Sequence, residues 1–153
     1  MKIEDAIKST TELNWGKKTM LNIMYTQNML AEEFNEVLKP FELSPEQFNV
    51  LRILRGQKGK PVNMCEIQCR MIAKTSNTTR LVDKLLLKKL VTREVCSENR
   101  RKMEILITEK GMALLKELDP IVDQNENKYT RNLTEKELEQ LNILLEKYRT
   151  IKN

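Results

Sequence analysis

Between Leu90 and Ile107 the apolar pattern abandons the three-and-four spacing that governs the chain on either side. Leu90 to Val95 and Lys102 to Ile107 are β-rich runs, and the polar, basic stretch Cys96-Ser97-Glu98-Asn99-Arg100-Arg101 parts them. That order predicts a hairpin. In its second run Met103, Ile105 and Ile107 alternate with Lys102, Glu104 and Leu106, so that strand is only partly two-sided.

Everything else reads as helix. A short first piece puts Ile3, Ala6 and Ile7 on one face and ends near Ser9-Thr10-Thr11. From Gly16 to Leu38, Met20, Ile23, Met24, Leu30, Phe34, Val37 and Leu38 trace an amphipathic helix with a polar gap at Gln27. Lys39-Pro40 is expected to stop it, because proline disfavours helical geometry in the residue before it. Ser44-Pro45-Glu46-Gln47 then opens a helix that turns Phe48, Leu51 and Leu54 inward and ends before Gly56. Asn63 with Glu66 begins a short helix running to about Met71, and after the turn Ala73-Lys74-Thr75 another runs from Ser76 to about Lys88. Leu81, Val82, Leu85 and Leu86 are its expected buried side. Thr108 caps a helix with Leu114, Leu115 and Leu118 along it, and Pro120 is expected to kink or restart that helix. Thr134 with Glu137 opens the last helix, striped by Leu138, Leu141, Leu145, Tyr148 and Ile151.

Composition agrees. In 153 residues, 32% are charged and only four are glycine and four proline, which fits a helical protein with one core or two fused lobes. No apolar run approaches the roughly 20 residues of a membrane span. Residues 1–15 lack a signal-peptide core, so a cytoplasmic protein with no membrane partner is expected. There is no histidine, which removes Ser-His-Asp and Cys-His triads and His-ligated zinc. Glycine-rich loops and convergent carboxylates are lacking as well, so neither an enzyme nor a cofactor is expected.

The net charge of +5 is unevenly placed. Residues 70–102 hold ten basic and three acidic side chains, a surplus of +7, which leaves −2 for the remainder. A polyanion-binding surface and an ordinary solvated face both accommodate such a stretch. Its setting separates them: two short helices joined by a tight turn and followed by a basic hairpin form a winged helix-turn-helix. In that unit the first turn of the second helix reaches the major groove. Here that turn is Ser76-Asn77-Thr78-Thr79-Arg80, hydrogen-bonding side chains with one guanidinium and nothing apolar. Capping and turn chemistry alone also favours such residues. At the hairpin tip, Asn99, Arg100 and Arg101 suit a minor groove or its flanking phosphates.

Arg80-Leu81-Val82-Asp83-Lys84-Leu85, Leu90-Val91, Asn99-Arg100-Arg101 and Ile107-Thr108-Glu109-Lys110-Gly111 together resemble the signature of the multiple antibiotic resistance regulator (MarR) family. The specific motifs span Asn63 to Gly111, and the helical order on both sides matches too. The resemblance implies a mainly α, α+β winged helix-turn-helix fold of six or so helices with a two-stranded β wing. Residues 1–40 and 109–153 would form an intertwined helical dimer lobe, and 41–108 the DNA-binding lobe. It implies a homodimeric regulator, a repressor, on a pseudo-palindromic duplex operator, with recognition helices about 34 Å apart. Arg80 and Lys84 would act in or above the major groove, Thr75, Ser76 and Thr78 on phosphates beside Lys74, Asn77 and Thr79 on bases, and Arg101 in the minor groove. Two positions depart from the pattern: Asn99 replaces the usual aspartate at the wing tip, and Lys89 replaces a glycine ending the recognition helix. A left-handed Lys89 costs on the order of 1 kcal/mol.

The resemblance also implies a small aromatic or amphipathic effector, for which Trp15, Tyr25, Phe48 and Arg52 are candidates; ordinary packing or surface placement is the expectation for them. Cys65 and Cys69, four apart, could serve a redox or soft-metal sensor, or be two small buried or half-buried hydrophobes, which is the expectation here. Cys96, beside Arg93 and the wing arginines, has the more electropositive setting. Rival functions are a winged-helix protein-interaction module that binds no DNA and a thiol-sensing regulator using Cys65, Cys69 or Cys96.

Overall fold

The computed structural model describes residues 1–95 and 103–150. The chain divides into two compact units, Met1–Pro45 and Glu46–Asn153. In the first, α1 (Ile3–Ala6) is followed by α2 (Trp15–Leu38). Asn14 caps α2, its Oδ1 accepting from the Lys17 amide at 2.9 Å. Lys18 Nζ meets Glu4 Oε1 at 2.8 Å, and that ammonium holds the Glu4 carboxyl below its ordinary pKa. The Lys39-Pro40 stop is softer than expected. The α-helix does end at Leu38, but Lys39 keeps helical dihedrals (φ −56°, ψ −44°) and the chain turns once more as a 3-10 helix, Lys39–Phe41. Glu42 then reverses it at φ 53°, and the Leu43 amide bonds the Leu38 carbonyl. Leu38 and Leu43 are both buried there, and their burial offsets the local bias against helical geometry before proline.

The second unit holds α3 (Pro45–Gly56), β1 (Val62–Asn63), α4 (Met64–Arg70), α5 (Thr78–Leu87), β2 (Val91–Val95), β3 (Met103–Ile107), α6 (Glu109–Thr130) and α7 (Glu135–Arg149), α3 starting on the last residue of the first. Among the described residues the two expected wing strands, β2 and β3, are joined by a third, in the order β1-β3-β2, antiparallel throughout. Val62 pairs with Ile105 on one side of β3, and Arg93 pairs with Ile105 on the other. Two residues are too few for an alternating pattern to register, which is why β1 escaped the sequence. Phe48, Leu51 and Leu54 of α3, Ile67 of α4, Val82 and Leu85 of α5, and Ile105 of β3 are buried. Leu81 and Leu86, expected inside, are half-buried at the margins of α5.

The helix does not restart at Pro120: α6 runs unbroken from Glu109 to Thr130. A proline in a helix interior costs about 3 kcal/mol. Leu118 and Val122 straddle it on the buried stripe Gly111, Leu115, Leu118, Val122, and at about 1.5–3 kcal/mol each their burial offsets that cost. α7 starts with the expected capping box: Thr134 Oγ1 accepts from the Glu137 amide, and Glu137 Oε2 accepts from the Thr134 amide at 2.8 Å.

The end of α5 has a left-handed residue. Lys89 adopts φ 60°; its amide donates to the Leu86 carbonyl, and the Leu90 amide reaches back to Leu85. This paired closure of a helix end is normally made with glycine. Lys89→Gly should therefore raise stability by roughly 1 kcal/mol, read as a higher urea midpoint at unchanged slope; a midpoint that stays put or falls contradicts the strain. Glu137 provides a pH test. Two hydrogen bonds from Thr134 hold its carboxyl below the ordinary value of 4.5. Its contribution to the cap is complete above that value and disappears as pH falls through the lowered one. The Thr134 amide resonance should titrate with a midpoint below 4.5, and a midpoint at or above it contradicts the bond.

Candidate nucleic-acid interface

The turn between α4 and α5 is built by one side chain the sequence did not single out. Gln68 donates from Nε2 to the Lys74 carbonyl at 2.7 Å, and its Oε1 accepts from the Thr78 hydroxyl. One amide thus grips the turn at its middle and at the first residue of the following helix. Asn49 of α3, also missed, accepts the Ile72 amide at 3.0 Å and fixes the turn's entry. All three bonds join positions well apart in sequence, so no local motif announces them. Asn63 and Glu66 form the expected reciprocal cap that starts α4.

α5 begins at Thr78, two residues later than the sequence suggested, because Asn77 is its cap: Oδ1 accepts from the Arg80 amide at 3.1 Å. Asn77 therefore spends its oxygen locally and retains its amide hydrogens for an outside partner. Thr78, expected on a phosphate, is instead buried at 4% exposed, with its hydroxyl committed to Gln68. Lys74, Thr75, Asn77, Thr79, Arg80 and Lys84 are exposed, and Ser76 is half-buried. The structure thus brings five exposed members of the predicted set, Lys74, Thr75, Asn77, Thr79 and Arg80, onto the turn and the start of one helix, with Lys84 a turn further along. Lys74 Nζ currently bonds the Cys69 carbonyl at 2.5 Å. Asn99, Arg100, Arg101 and Cys96 lie outside the described residues.

Electrostatics reinforce the arrangement. Asp83, the one acid of α5, pairs with Arg93 of β2 at 2.6 Å, which ties the helix to the strand leading into the wing. Lys110 Nζ donates to the Lys88 carbonyl at 3.0 Å, and Thr108 Oγ1 to the Lys89 carbonyl at 2.9 Å, so two donors complete the C-terminal end of α5.

The other predicted residues are placed separately. Trp15 is 81% exposed, with Lys18 Nζ 5.5 Å from its ring centroid, and Tyr25 is exposed along α2. Phe48 is buried in the second unit with the Arg52 guanidinium 5.9 Å from its ring centroid. Cys65 and Cys69 are both exposed, contrary to their expected burial. Ile67 takes the inward position of this short helix, which turns the cysteines out.

Gln68→Leu should cost about 1–3 kcal/mol by leaving the buried Thr78 hydroxyl without its partner. Adding Thr78→Val removes the orphaned group, so the double variant should lose clearly less than the sum of the two single losses in urea denaturation. Strict additivity would mean the two side chains act independently.

A model of the MarR family matches residues 43–103, from just before α3 to the start of β3. The transcriptional repressor MprA of Escherichia coli (strain K12) is 29% identical over 97 residues, 63% of this chain; the chain spans only 55% of that repressor's length. The HTH-type transcriptional regulator YpoP of Bacillus subtilis (strain 168) is 34% identical over 109 residues, 71% of this chain and 74% of YpoP. A crystal structure of a MarR transcription factor from Planctomyces limnophilus superposes with a TM-score of 0.69 at 31% identity, covering 89% of this chain and 98% of that one. With the helix-turn-helix, the wing strands and these likenesses in agreement, the chain belongs to the MarR family.

Proposed function

We propose that the chain is a sequence-specific, duplex-DNA-binding transcription regulator that acts in the cytoplasm as a homodimeric repressor and is released by a small ligand. Its main support is the first turn of α5: clamped from behind by Gln68, capped by Asn77, and presenting hydroxyl, amide and guanidinium groups outward. A helix start of this kind suits both base edges and phosphates. Asn77 and Thr79 are assigned to bases, Arg80 and Lys84 to the major groove, and Lys74, Thr75 and Ser76 to phosphates. Thr78, assigned to a phosphate from sequence, is better suited to positioning the turn, given its burial. Asn99, Arg100 and Arg101 are assigned to the minor groove and its flanking phosphates.

The dimer is supported by apolar surface. On α2, Met20, Met24 and Leu30 are exposed, and on α7 so are Leu141, Ile143, Leu144 and Tyr148. Faces of this size on a charged chain mark association. Residues 1–40 and 109–153 are accordingly assigned to the dimer lobe and 41–108 to DNA. The repressor assignment follows the role of the similar repressor MprA. A small aromatic or amphipathic effector remains the family's implication, with Trp15, Tyr25 and Arg52 as its contacts; Phe48 supports Arg52 from inside.

Selection of bound duplexes from a random pool at low and high salt tests the proposal, alongside sedimentation of the free protein. A pseudo-palindrome and a dimer are expected; no captured duplex in dilute buffer, or a stable monomer at working concentration, overturns it. On the selected duplex, Arg80→Ala and Arg101→Ala should each weaken binding on the order of tenfold and flatten the salt dependence by about one phosphate-equivalent. Unchanged affinity and slope removes the residue from the interface.

A further inference from the structure

The cysteine pair of α4 is the sequence motif that DNA recognition leaves unused. Cys65 and Cys69 each stand two positions from Ile67, so each lies about 160° around the helix from the side chain that enters the core. Both are free thiols on the exposed surface. Four residues apart on an unbroken helix, their Cβ atoms share one face at roughly 5–6 Å. A disulfide needs about 3.8 Å between Cβ atoms, so a direct S–S bond would require α4 to distort. One atom inserted between the two sulfurs makes up the difference.

The chemistry of that atom follows from what surrounds it. Among the described residues no group of three or more His, Cys, Asp or Glu side chains is placed to hold a metal ion. Among these residues a closed four-ligand zinc site is therefore not built, and the ligand sought is one that two protein sulfurs satisfy. A pyramidal centre holds both sulfurs on one side of itself, an arrangement that two thiols on one helical face can supply.

We propose that Cys65 and Cys69 form a two-sulfur site whose ligand class is a mono-substituted trivalent arsenical. In the binding step two As–O bonds of the hydrated arsenical break and two As–S bonds form. The two thiol protons leave with the two hydroxyls as two waters, and no atom changes oxidation state. The site lies on the helix whose Gln68 clamps the DNA-reading turn, but it does not depend on DNA binding.

The test uses the full chain carrying Cys96→Ser, titrated with phenylarsine oxide and followed by native mass spectrometry and thiol counting. One arsenical per chain is expected, with both remaining thiols consumed, retained against excess monothiol and released by a dithiol. Cys65→Ser and Cys69→Ser, each added to that background, should each weaken binding by about 100-fold through loss of the second attachment. Both side chains are exposed, so these variants keep the fold, and helical circular dichroism verifies it. Two arsenicals per chain, thiols that stay reactive, or a single-cysteine variant binding as tightly as its parent overturns the proposal. No DNA is present, so failure here leaves the regulator proposal standing, and failure to capture DNA leaves this site standing.

Discussion

The main chain of Leu90 is the joint on which the DNA-reading half depends. Its amide closes α5 on the Leu85 carbonyl, and its own carbonyl accepts the Thr108 amide at 3.1 Å, where β3 gives way to α6. Gly111 sits against the same carbonyl. A Cβ at that position would lie 2.4 Å from Leu90 O and 2.7 Å from Ile107 Cγ1. No side chain fits in that gap without moving backbone. The cap from Thr108 Oγ1 to the Gly111 amide, together with the missing Cβ, holds the start of α6 against the end of α5. The left-handed Lys89 is the cost of making that joint one residue after the helix ends. Helix, wing strand and the following helix are therefore set by one short stretch of backbone, so the attitude of α5 toward the wing is fixed before any ligand arrives.

Charge at this joint acts on orientation more than on stability. The Asp83–Arg93 pair is part-exposed, and such pairs contribute at most about 1 kcal/mol. It does neutralise the one acid of α5, leaving the helix's outward charge to Arg80 and Lys84. Arg55 of α3 and Asp119 of α6 form a fork of 2.8 and 2.9 Å that works likewise: modest energy, but a geometry that two parallel bonds define well. These pairs set angles between elements whose burial already holds them.

What the sequence revealed was what is local. The caps at Asn63, Thr108 and Thr134 bond within three residues, so residue type and spacing identify them. The left-handed Lys89 was legible because glycine is the residue that normally stands there. Gln68 was illegible, since its value lies in two bonds to a turn that exists only once α4 and α5 have docked. The exposure of the cysteines turned on whether Ile67 or its neighbours face inward, and seven residues are too short a helix for periodicity to decide. Pro120 misled because a backbone preference was weighed without the burial of Leu118 and Val122 opposing it.

The same balance bears on the two longest apolar stripes. Helices in proteins owe most of their stability to packing an apolar face rather than to propensity, and a free helix of about 15 residues is marginal in water. α7 has 15 residues and buries none of them within this chain; α2 has 24 and buries only Leu38. Their caps and ion pairs contribute about 1 kcal/mol or less each and cannot replace a missing core. A face of leucine, isoleucine, methionine and tyrosine left half in water on both elements is therefore a surface awaiting a partner, and the second copy proposed above has the matching chemistry. On that account the fold of these helices and the pairing of the reading heads are one equilibrium. In the proposed dimer, whatever separates the subunits also loosens α2 and α7, and stability should depend on protomer concentration in a way that the buried joint at Leu90 does not.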